Sequence, residues 1–405
     1  MVISIVFCIF VVFNKLYMKK LFKIGLLPQV LVAIVLGILL GGILPSWGIR
    51  IFVTFNEIFS QLLSFLVPLI ILGMVAPAIA DMGKKAGKML LLTVGLAYGA
   101  TIIAGLASYG TAVATFPFLV DPSQASQMLA EDNNLTGFFQ FSIPPLMSVM
   151  TALFFAFLLG LGVAKIKGHN LKHMLDEFKG IISLAIEKVI IPLLPLHIFG
   201  IFLNITQSGQ IASMLTLFVK IIGIIFALHV VVLLVQYIVA GIVTRRNPFK
   251  LLYAMLPAYF TALGTQSSAA TIPVTLKQTL SNKVDEDVAD FVIPLCATIH
   301  LSGSTLKIVA CAVALMMMHG NPVVPADMIY FIFMLGIVMV AAPGVPGGAI
   351  MASISVLQSI LGFNESQIAL MIALYITMDN FGTACNVTGD GALALIIDKI
   401  YKRRK

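Results

Sequence analysis

The chain has 405 residues, of which 60% are hydrophobic and only 10% charged, and its mean hydropathy is +1.06. That balance excludes an ordinary soluble domain and leaves room for roughly eight to ten membrane spans of about 20 residues. The net charge of +8 is not a nucleic-acid signal, because the basic residues sit in short loops and at both ends, where they set topology.

Residues 1–17 carry a short apolar run followed by Lys15, Lys19 and Lys20. The run is too short to span and no small-residue cleavage site follows it, so it is read as an extension ahead of Met18. Apolar spans are expected at 26–43, 52–80, 89–114, 145–164, 181–203, 214–243, 290–318 and 368–397. Lys84, Lys85 and Lys88 follow the second span, Lys165, Lys167 and Lys172 the fourth, and Arg245, Arg246 and Lys250 the sixth. The loops at 116–144 and 319–327 are neutral or acidic, and only Arg50 breaks the alternation. This bias puts both termini and the basic loops in the cytoplasm. Glu187–Lys188 reads as an interfacial pair near the cytoplasmic end of the fifth span. His197, Lys220 and His229 read as peripheral, and Cys8, Cys296, Cys311 and Cys385 as small buried residues.

Two segments break the spanning pattern. Residues 251–280 are interrupted between Gly264 and Thr271, and residues 331–361 between Ala342 and Gly348. Each arm is roughly 10–15 residues, too short to cross a core of about 30 Å. The first, flanked by Lys250 and Lys283, would re-enter from the cytoplasm; the second, flanked by Asp327 and Glu365, from outside. The plainer alternative is a pair of helices kinked at Pro or Gly. A third polar interruption, Cys296–Ser304, offers Gly303 as an unwound point whose carbonyls could hold a cation.

The last apolar segment carries the chemistry. Read as a helix, it sets Asp379, Thr383, Asn386 and Asp390 at i, i+4, i+7 and i+11, on one face. Ionisable groups at that depth mark a substrate or ion site; a polar packing seam is the dull alternative. A membrane aspartyl protease does not fit, because eleven residues of helix separate the carboxylates by about 16 Å, and such a pair must nearly touch. A channel is the third functional class to weigh for this face.

The order Ser267–Pro273, Ala297–Ser304, Gly344–Gly347 and Asn386–Asp390 resembles the dicarboxylate/amino acid:cation symporter family, the glutamate-transporter homologues. The resemblance runs from about Met18 to the C-terminus. It implies an all-α membrane protein with eight transmembrane helices, two re-entrant hairpins, inverted repeats and an elevator mechanism. It further implies a homotrimer in the plasma (inner) membrane, with no catalytic cofactor. Residues 18–245 would hold spans one to six, with spans one, two, four and five as scaffold. Residues 246–405 would form the transport core, joined by spans three and six.

Carried over motif by motif, Asp379 occupies the position that binds a substrate ammonium. Ser267, Ser268, Val345, Pro346, Gly347 and Asn386 resemble the carboxylate clamp, with Ser304, Gly382 and Thr383 completing the substrate set. The candidate Na⁺ residues are Tyr98, Thr101, Thr298, His300, Ser302, Asn386 and Asp390. The chain also departs from the family. Where relatives that take acidic substrates place an arginine, this chain has Gly382 or Gln266, and its five arginines all lie outside the core. No guanidinium–carboxylate fork is available, which implies a small neutral or polar amino acid. Lys307 either pairs with Asp379 or replaces the arginine and restores an acidic substrate. Ile102, Ser302 and His300 depart from the third sodium pattern, so H⁺ stands beside Na⁺ as the coupling ion.

Overall fold

The computed structural model describes residues 26–84, 88–119, 135–139, 143–166, 170–207, 211–340, 342 and 347–402, and the regular elements among them are all helical. The extension at 1–17 and the site residues Val345 and Pro346 fall outside the described residues. The first helices are α1 (Leu26–Gly41), α2 (Ser46–Lys84), α3 (Lys88–Thr115) and α4 (Val149–Lys165). Then α5 (Asn170–Ala185) runs through a π-turn, Ile186–Ile190, into α6 (Ile191–Gln207).

This fifth segment is longer than expected from its apolar run. Leu171, Leu175, Phe178 and Ile182 recur at helical spacing and make one apolar stripe on α5. The stripe lies against α2, where Phe178 and Ile182 close on Gly73. Polar residues interrupt the stripe along the chain, so it forms no continuous apolar run. Glu187 and Lys188 are therefore exposed in the middle of a long segment, not near its end.

A long α7 (Ile211–Thr244) leads to the first interrupted segment, α8 (Pro248–Thr265) and α9 (Ser268–Ser281). These arms fold back antiparallel. The Thr265 and Thr271 hydroxyls meet at 3.0 Å at the tip, while Asn282 Nδ2 donates to the Leu251 carbonyl at the open end. The tip follows from local chemistry: Gln266 takes a left-handed conformation (φ 54°), and the Ser267 hydroxyl caps α9 by accepting from the Ala270 amide. Next come α10 (Glu286–Ile299), α11 (Ser302–Met318), α12 (Pro325–Val340) and α13 (Gly348–Leu361). The chain closes with α14 (Glu365–Thr377), started by an Asn364–Gln367 capping box, and α15 (Asp379–Lys402).

Two expectations change here. The final segment is not one straight span: α14 and α15 meet at Met378 with a bend of 62°. Asp379 and Asn380 favour a first helical turn over an interior one, and the Asn380 Oδ1 accepts from the Phe381 amide. In the seventh span the break falls at His300–Leu301, whereas Gly303 is helical. Among the described residues, five helices are long and apolar enough to cross a bilayer, or six with the bent pair counted as one. Helix length alone does not yield the eight-span count.

α2 lies along α4 and packs on α5 and α6; α1 lies along α6; α3 lies along α11. α15 is enclosed by α7, α8, α9, α10 and α11. Every residue of α11 except Met317 is buried. By contrast, α1 exposes Leu31, Val35 and Leu39, and α7 exposes Val231, Val235 and Ile242.

Candidate substrate and cation site

The site forms where the two broken segments cross. α11 begins without a side-chain cap of its own, because Leu301 stands at its N-cap, and the first amides of a helix need acceptors. Asn386 of α15 supplies one. Its Oδ1 accepts from the Gly303 amide at 2.8 Å and the Ser304 amide at 3.3 Å, and its Nδ2 donates to Ser304 Oγ at 3.0 Å. The Tyr375 hydroxyl donates to the same Ser304 Oγ at 3.1 Å. This explains why the break sits before Ser302. The crossing is close because Gly303 lacks a side chain: a Cβ there would lie 2.7 Å from both Cys385 Cβ and the Gly382 carbonyl.

A buried ion pair and a buried histidine–carboxylate contact flank this crossing. Lys307 Nζ donates to Asp379 Oδ1 at 2.9 Å, and the Gly347 amide donates to Oδ2 at 2.7 Å. Asp379 therefore joins α11, α15 and the tip between α12 and α13. Gly347 has φ +74°, a backbone that favours glycine. On the other side of Asn386, His300 Nδ1 lies 2.8 Å from Asp390 Oδ1, with side-chain exposures of 0% and 1%. His300 Nε2 is buried without a partner.

The remaining candidates divide. Ser302 Oγ accepts from Gln236 Nε2 of α7 at 3.2 Å. Ser267 and Ser268 stand at the tip between α8 and α9, with Ser268 buried. The Thr383 hydroxyl is spent on the Asp379 carbonyl at 2.9 Å. Gly382 leaves room that Lys307 fills, since a Cβ there would come within 2.8 Å of Nζ. Thr298 is exposed and its hydroxyl donates to Leu295 within its own helix. Tyr98 donates to the Phe333 carbonyl on α12, and Thr101 to the Ala97 carbonyl. These three hydroxyls therefore do not gather on Asp390.

His229, read from the sequence as peripheral, instead bonds the Gly303 carbonyl through Nε2 at 3.0 Å. It lies seven residues before Gln236, so both fall on one face of α7. That spacing was the available signal. Tyr375, whose ring lies 3.4 Å below the Lys307 ammonium, gave no signal within an apolar run.

The profile of the sodium:dicarboxylate symporter family matches residues 26–400. The chain belongs to the sodium:dicarboxylate symporter family. This is a family of secondary transporters, not of enzymes. The chain is 28% identical over 259 residues to excitatory amino acid transporter 1 of Rattus norvegicus, covering 63% of this chain and 47% of the relative. It is 28% identical over 263 residues to excitatory amino acid transporter 3 of Homo sapiens, covering 63% and 49%. With excitatory amino acid transporter 1 of Ambystoma tigrinum the identity is 29% over 247 residues, covering 60% and 45%. The chain thus spans about half the length of the curated relatives it matches.

Proposed function

We propose that this chain is a cation-coupled symporter that carries a small neutral or polar amino acid across the plasma (inner) membrane. The observation that carries the reading is Asp379, a buried carboxylate already held by one ammonium, from Lys307, and by the tip amide of Gly347. A buried carboxylate with that donor set is fitted to a primary ammonium. Lys307 is engaged with Asp379, which weighs against its acting as a free replacement for arginine and so against an acidic substrate or dicarboxylate. The names of the relatives add amino acids as the substrate class.

In this reading Na⁺ is the coupling ion, with H⁺ as the alternative at His300–Asp390. The packing of α1 and α2 on α4 to α6, apart from the cluster around α15, supports a scaffold and a moving core. The antiparallel arms α8–α9, and the pair α12–α13, would serve as inner and outer gates among eight spans. Exposed apolar faces on α1 and α7 suit lipid or neighbouring subunits of a homotrimer.

The test is uptake of labelled serine or alanine into proteoliposomes with an inward Na⁺ gradient, compared with K⁺ and with a pH gradient. Accumulation that Asp379→Asn abolishes while leaving assembly intact is the expected result. Normal uptake by that variant removes Asp379 from the site.

A further inference from the structure

Asp379 is already neutralised from within. Lys307 reaches it from the second turn of α11, fully buried, with its ammonium 2.9 Å from Oδ1, 3.4 Å from the Met378 carbonyl and 3.4 Å from the Tyr375 ring centre. Its path crosses Gly382, where any side chain would collide with Nζ and Cε. Three features thus converge on one ammonium position: an absent side chain at 382, an aromatic face and a carboxylate. The remaining carboxylate oxygen holds the Gly347 tip.

We propose that Lys307 is a tethered stand-in for the substrate's ammonium, occupying Asp379 in the empty carrier and displaced when an amino acid brings its own. The inference rests on the reading that Asp379 receives a substrate ammonium. Charge counting carries it further. The empty pair sums to zero. A zwitterion entering head to tail sets its ammonium on Asp379 and its carboxylate on Lys307, and the sum remains zero. An acid without an amine would draw Lys307 away and strand Asp379 unpaired in the interior, which is strongly unfavourable. The site therefore selects molecules that carry both groups. The lysine also lets the empty core move without an uncompensated carboxylate, while Asp379 keeps the tip docked.

Two variants of different volume, Lys307→Met and Lys307→Ala, vacate the position in the full chain. Methylammonium chloride should raise the melting temperature of either by on the order of 2–4 °C over choline chloride at equal ionic strength. Wild type should not respond, and adding Asp379→Asn should cancel the response. A folded variant that ignores methylammonium, or a wild type that responds equally, overturns the proposal. In proteoliposomes, Lys307→Met should lose net uptake of labelled serine into empty vesicles by about tenfold or more. Net uptake by Lys307→Met equal to that of wild type overturns the stand-in role. On the wild type, lactate should not compete with serine uptake; competition matching that of alanine also overturns it. A methylammonium response in the variants with no amino acid transport by wild type would instead sink the substrate reading and leave the stand-in in place.

Discussion

Removing the Asn386 amide tests how the two broken helices are held. In Asn386→Ala the amides of Gly303 and Ser304 lose their acceptor, and Ser304 Oγ keeps only the Tyr375 hydroxyl. Ser304 is buried, so the amides are left without an acceptor inside the protein. An N-cap loss costs about 0.5–2 kcal/mol, and a stranded buried donor about 1–3 kcal/mol. Because the two effects share the same amides, they are not summed; a net loss of about 2–3 kcal/mol is expected. Reversible unfolding in mixed micelles would measure it. A cycle with Ser304→Ala isolates the Nδ2–Oγ bond, with an expected coupling of about 0.5–1.5 kcal/mol. A loss for Asn386→Ala within about 0.5 kcal/mol, the range of a neutral surface change, would refute the cap. Strict additivity in the cycle would refute the cross-helix bond.

Gly303→Ala forces α11 from α15 at contacts of 2.7 Å and should cost about 1–3 kcal/mol by overpacking, read in the same unfolding assay. Gly382→Arg should not by itself confer aspartate preference, because Lys307 fills that space; uptake should fall, and only with Lys307→Met should aspartate displace labelled serine. Asp390→Ala should weaken the Na⁺ dependence of uptake, measured as the sodium concentration at half-maximal rate; an unchanged value removes that carboxylate from the cation site. Cys296, Cys311 and Cys385 are buried and free, so peptide mapping after maleimide treatment should find them unlabelled until the protein is denatured.

Much of the candidate site was legible because polar groups stand out in an apolar chain. Asp379, Asn386 and Asp390 announced themselves as a face, and Lys307 as a lone lysine, although its partner stayed open. Both interruptions, between α8 and α9 and between α12 and α13, were legible through Gly, Pro and Ser. The two break points were not. Leu301 and Met378 are ordinary apolar residues, and the groups that end or start the helices there come from elsewhere: Asn386 caps an amide 83 residues away. The pairing of His300 with Asp390 spans 90 residues and had no local signature. α5 was missed for the opposite reason, since its apolar residues are spread into a stripe. His229 and Gln236 were spaced to be found, but a single histidine in a valine-rich helix reads as incidental without its partner.

α11 touches nothing but the rest of the chain along almost its whole length. Its charged and amide groups consequently experience a surrounding that the protein itself composes, side chain by side chain. Lipid thickness or headgroup type can act only on the outer helices, such as α1 and α7, and reaches Lys307 solely by shifting rigid neighbours. Under the proposed transport function, membrane composition should therefore alter the rate more readily than the choice of substrate.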